Sequence, residues 1–102
     1  MFAEIKAIEH GMAITGKLVF ATVSEIIKQG NQFIEQTIQT NQKDFFEIDC
    51  VHIERIDSAG IATLIDWRRQ CTAAQIDVRF INLPEQAKSL IKAYRLDPFL
   101  QH

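Results

Sequence analysis

Hydrophobic positions along this chain switch between a period of two and a period near 3.6, and each switch marks an element. Ala3 to Ile8 alternates weakly and predicts a strand. His10-Gly11 is a turn signal, after which Met12, Ile14, Gly16 and Leu18 take every second position, so the first two strands predict a hairpin. Thr22-Val23-Ser24-Glu25 has the T-x-x-E form of a capping box, and Val23, Ile26, Ile27, Gly30, Phe33, Ile34 and Ile38 trace one face of the helix it opens. The polar run Asn41 to Lys43 then turns the chain. From Asp44 to Cys50 the period returns to two, with Phe46, Ile48 and Cys50 on one face and Glu47 and Asp49 on the other. Ile61, Leu64, Ile65 and Arg68, with Trp67 and Cys71 beside them, define a second helix. Ile76, Val78 and Phe80 alternate with Asp77 and Arg79 in a last strand. Pro84 at N1 and Glu85 in the first turn open a third helix along Ala87, Leu90, Ile91 and Tyr94. Pro98 blocks its extension, and Phe99-Leu100 is expected to fold back onto the core.

The resulting order is strand, strand, helix, strand, helix, strand, helix. Helices between strands imply parallel neighbours joined by right-handed crossovers. Every strand nonetheless keeps polar residues on one face: Thr15 and Lys17, Glu47 and Asp49, Asp77 and Arg79. A sheet covered on both sides would be apolar on both, so an α/β fold is predicted in which three helices lie mainly on one face of a four-stranded mixed sheet. No repeat or linker interrupts residues 1–102, and a single domain with one core is expected over that span.

Composition removes several classes of function. The formal charge is −2 with both signs interspersed, and no basic cluster exceeds Arg68-Arg69, which argues against nucleic-acid binding. Those two arginines, and the amide-rich stretch from Gln29 to Gln42, are read as solvated helix faces. The start of the chain lacks a basic segment followed by an apolar run, and no stretch is long enough to span a bilayer, so a cytoplasmic location is expected. Cys50 and Cys71 fall on apolar faces outside any C-x-x-C pattern and read as reduced core residues. His10, His52 and His102 share no ligand spacing with them and read as turn, loop and tail residues. Neither a metal nor a cofactor is expected.

The segment Ile56-Asp57-Ser58-Ala59-Gly60-Ile61 carries the most information, because it joins an apolar strand to an apolar helix through four small or polar residues. Asp57 and Ser58 are both good N-cap residues, and a helix start leaves N–H groups unpaired. Gly60 permits close approach of a neighbouring strand or chain. Ser58 has no histidine in the nearby motif to act as base, and no Gly-rich phosphate loop is present, so an enzyme is not expected.

Ile14-Thr15-Gly16-Lys17-Leu18 resembles the apolar-x-Gly-x-Leu that ends the second strand of the STAS domain, the family of anti-anti-sigma factors and of sulfate-transporter tails. Ile48-Asp49-Cys50-Val51 is similar to its D-L-S-x-V, and Ile56 to Ile61 to its D-S-x-G turn. Leu18-Val19-Phe20-Ala21-Thr22-Val23, Ala62 to Trp67, and Leu83-Pro84 with Tyr94-Arg95-Leu96-Asp97 resemble the branch that serves the Mla phospholipid ABC transporter. Anti-anti-sigma factors usually carry an acidic residue where this chain has Val19.

The resemblance implies the STAS fold and a cytoplasmic subunit, peripheral to the inner membrane, that binds a transporter ATPase and through it the permease. The expected interface comprises Arg55, Ile56, Asp57, Ser58, Ala59, Gly60 and Ile61 with Thr63 and Trp67, the apolar members adding contact area around the Ser58 hydroxyl. Trp67 fits either core or interface and is expected to be partly buried with one edge free. The alternative is a signalling protein in which Ser58 is a phospho-acceptor. A weaker third reading is self-association through the outer sheet face or the first helix.

Overall fold

The computed structural model describes residues 3–40 and 44–95. Its elements run β1 (Ala3–Ile8), β2 (Gly11–Leu18), α1 (Val23–Thr40), β3 (Phe45–Ile56), α2 (Ser58–Ala73), β4 (Asp77–Ile81) and α3 (Glu85–Ala93). The sheet order is β1-β2-β3-β4. β1 and β2 form the antiparallel hairpin, closed at Ile8 opposite Gly11, while β2–β3 and β3–β4 are parallel.

Alternation explains where the core sits. Ile5, Met12, Ile14, Leu18, Phe46, Ile48, Cys50 and Val78 are buried beneath the helices. Glu4, Thr15, Lys17, Glu47, Asp49 and Arg79, which alternate with them, are not buried. α1 packs over β1 and β2, α2 over β3 and β4 between the other two helices, and α3 over β3. The one-sided helical layer expected from the polar strand faces is therefore present.

β3 runs beyond its alternating stretch, and His52 lies within it and not in the expected loop. Its pairing with β2 gains an extra residue twice: Ala13 opposes Asp49 but Thr15 opposes His52, and Gly16 opposes Ile53 but Lys17 opposes Arg55. Each bulge moves the buried position on by one, so Cys50, Ile53 and Ile56 point inward at intervals of three. β4 accompanies β3 only as far as Asp49. Beyond it, the Gln86 side chain of α3 accepts the Ile56 N–H at 3.0 Å in place of a strand. At the opposite edge, Gln29 of α1 accepts the Ile5 N–H at 2.9 Å.

Two helix starts differ from expectation. Thr22 precedes α1, but its hydroxyl turns back, donating to the carbonyls of Lys17 and Val19 and accepting the Val19 N–H, instead of facing the helix as a capping box requires. Pro84 occupies the N-cap of α3, one place before the expected N1 position. The expected return of Phe99-Leu100 onto the core lies outside the described residues, as does His102.

Candidate functional site

The carboxyl ends of β2 and β3 meet at the start of α2. Asp57 is the N-cap of that helix: its Oδ1 accepts the N–H groups of Ala59 and Gly60 at 3.0 and 3.2 Å. Its Oδ2 accepts the Phe20 N–H at 3.1 Å, so one carboxylate ties the β2–α1 turn to the helix start. Gly60 is needed because a Cβ there would stand 2.2 Å from the Leu18 carbonyl oxygen. The close approach read from the sequence is thus made by the end of β2.

Ser58 follows as the first helical residue and is exposed. Among the described residues its hydroxyl has no hydrogen-bond partner. It borders a shallow depression of about 380 Å³ lined by Ile61, Ala62, Ile65 and Tyr94. Thr63, in contrast, donates its hydroxyl to the Ala59 carbonyl at 2.9 Å and is buried.

The structure corrects the expected apolar surround. Ile56, Gly60, Ile61, Thr63 and Trp67 are buried and add no side-chain surface of note, leaving Arg55 and Ser58 exposed with Asp57 and Ala59 half-buried. Trp67 has no free edge at all: it is 0% exposed, its Nε1–H donates to Asn31 Oδ1 at 3.1 Å, and its ring fills the space over Gly30. The outward stripe of α2 is instead Ser58, Ala62, the half-buried Ile65 and Arg69. Arg69 and the half-buried Arg68 border a second depression with Ile65, Thr72 and Ala73.

Two residues near this end of the molecule were not singled out from the sequence. Phe20, in the β2–α1 turn, is 82% exposed, and Tyr94, after α3, is 58% exposed. Phe20 had a visible signal, an aromatic residue lying between the last alternating position of β2 and the first residue of a helix. Tyr94 looked like a core position because it continues the Ala87, Leu90, Ile91 spacing, yet α3 ends before it.

The chemistry available is that of a bare hydroxyl. A serine without an adjacent base is a weak nucleophile but a good donor, acceptor or phosphate acceptor. Among the described residues no group of three or more His, Cys, Asp or Glu side chains could hold a metal ion. Both cysteines are free and buried. Burial, helped by the neighbouring Asp49 carboxylate, pushes the Cys50 thiol up to about 12, and burial pushes Cys71 up to about 11.

The family model described as "Mlab, STAS domain" matches residues 1–101. The chain belongs to the STAS domain family. Among solved structures, the STAS fold recurs in the anti-sigma factor antagonist SpoIIAA. The phosphorylated Bacillus form has a TM-score of 0.65 at 15% identity, covering 97% of this chain and 88% of that one. The unphosphorylated form has a TM-score of 0.63 at 14% identity, covering 98% and 87%. SLC26A9 gives a TM-score of 0.68 at 14% identity over 91% of this chain, which spans only 17% of that protein. No curated protein matches the sequence. No helix among the described residues is long and apolar enough to cross a membrane.

Proposed function

We propose that this STAS domain is a non-catalytic subunit that docks on the ATPase of the Mla phospholipid ABC transporter and regulates or stabilises its assembled form, in the service of outer-membrane lipid asymmetry. The observation that carries this reading is the Ser58 hydroxyl, exposed and unpartnered among the described residues, on a helix start held rigid by Asp57. Such a turn offers a donor and an acceptor on a backbone that is already ordered, and the small Ala62 one turn on leaves room for a partner beside it. Bound there, the domain favours whichever ATPase conformation it fits better. The match to the Mlab family model supports this assignment over other STAS functions.

Co-purification with the ATPase from the same organism tests it. The wild-type chain should be retained and Ser58→Arg should not. Failure of the wild type to associate, or equal retention of both, removes this docking site.

A second reading is favoured by the likeness to SpoIIAA, one of whose structures is of a phosphorylated form. A phosphate on Ser58 would be welcomed by the α2 N-terminus but would add about −1.5 to −2 charge beside the Asp57 carboxylate. Docking would then be switched off by repulsion and bulk. Mass spectrometry after co-expression with candidate kinases decides: a Ser58 that stays unmodified throughout counts against the switch.

A further inference from the structure

The β2–α1 turn holds an aromatic ring in solvent, and the fold makes no use of it. Phe20 is 82% exposed, yet the turn beneath it is fastened at several points. Its N–H donates to Asp57 Oδ2 at 3.1 Å, and the Val19 N–H donates to Thr22 Oγ1 at 3.1 Å. The N–H groups of Thr22 and Val23 both donate to the Val19 carbonyl, at 2.8 and 3.0 Å. A ring on so well-tied a backbone has already lost much of the freedom that a binding partner would otherwise have to remove. Exposed aromatic residues in that state are the usual anchors of protein interfaces.

Two cations lie at the same end of the sheet. Lys17 and Arg55 are register partners, as are Leu18 and Ile56 next to them. Leu18 and Ile56 are buried under the helices, so Lys17 and Arg55 share the open face. Among the described residues neither is within salt-bridge distance of a carboxylate.

Resting on the docking reading above, we propose that Phe20 is the anchor of that interface, seated in an apolar socket of the ATPase bordered by carboxylates that face Lys17 and Arg55. Asp57 is the positioning residue, since one carboxylate holds both the ring's turn and the helix that carries Ser58. The occupant is a protein and not a lipid surface. One ring and two cations, on a chain of net charge −2, fall short of the basic cluster that membrane anchoring requires.

Calorimetric titration of the purified ATPase with variants of the full chain tests this. Phe20→Ala should weaken binding at least about tenfold with an unchanged melting temperature, and Phe20→Leu should recover part of the loss. Asp57→Asn should give a smaller loss and faster hydrogen exchange at the Phe20 amide. The asparagine oxygen still accepts from Ala59 and Gly60, but its NH2 group cannot accept from Phe20. Combined Lys17→Gln and Arg55→Gln should weaken binding at low salt and flatten the dependence of affinity on salt.

If Ser58→Arg abolishes binding while Phe20→Ala binds like wild type, the anchor assignment is overturned and the docking reading stands. If the wild type does not bind, or Ser58→Arg has no effect, the docking reading fails and the anchor with it. If Phe20→Ala alters only a self-association seen by ultracentrifugation, or only pelleting with phosphatidylglycerol vesicles, the ring serves a second copy or a membrane and the proposal is wrong.

Discussion

A missing methyl group on α1 decides where the largest side chain of this domain goes. A Cβ at Gly30 would lie 2.2 Å from the Trp67 ring, so the indole can pack this close to α1 only because position 30 has none. Gly30→Ala should therefore lower unfolding free energy by about 1–3 kcal/mol through overpacking, measured by urea denaturation followed by tryptophan fluorescence. Sequence spacing left Trp67 open between core and surface, because its own helix offers both faces at three- and four-residue intervals. The deciding residues, Gly30 and Asn31, belong to another helix, and only the tertiary fold brings them to it. The cysteines set a second expectation at this scale. Their unfolded thiols ionise near 9.0, while in the fold Cys50 and Cys71 keep their protons to about 12 and about 11. The native state then binds more protons than the unfolded one above pH 9, so stability falls as pH rises from there. Between about pH 8 and 10, the urea midpoint of the wild type should drop further than that of a Cys50→Ala, Cys71→Ala double variant.

At the scale of elements, the legible parts of the sequence were those with a clean period. β2, the first half of β3 and the amphipathic α1 follow their patterns of two and 3.6 closely. The second half of β3 does not, because two bulges space its inward residues three apart, and Cys50, Ile53, Ile56 resembles neither a plain strand nor a full helical turn. That stretch also outruns β4, and a glutamine replaces the missing strand at Ile56. Gln86→Ala should free that N–H, speed its hydrogen exchange and cost about 1 kcal/mol in a urea titration. The apolar surround expected at the candidate site is buried for a related reason. Ile61, Thr63 and Trp67 stand close to Ser58 in sequence, but the helix turns them into the core and leaves Ala62 and Ile65 on its outer stripe.

For the whole molecule, a sheet covered by helices on one side gathers the ends of β2 and β3 at one place, and the hydrogen-bonded β2–α1 turn and the exposed Ser58 share that place. The order of elements and the polar strand faces were enough to predict this architecture. The position of Ser58 was legible because a capped helix start after a strand is a local feature. What touches Asp57 from the β2–α1 turn was not, since that contact joins residues far apart in the chain. The domain is accordingly expected to act as a rigid piece, with Ser58→Arg changing its own stability by no more than about 0.5 kcal/mol by differential scanning calorimetry.

The most direct test is a hydrogen-exchange footprint of the chain with and without the ATPase. Docking through this end predicts new protection confined to residues 17–22, residues 55–57 and the first turns of α2, lost again in Ser58→Arg. Protection on the outer helix face of α1 or the open sheet face alone, or no protection anywhere, would contradict it.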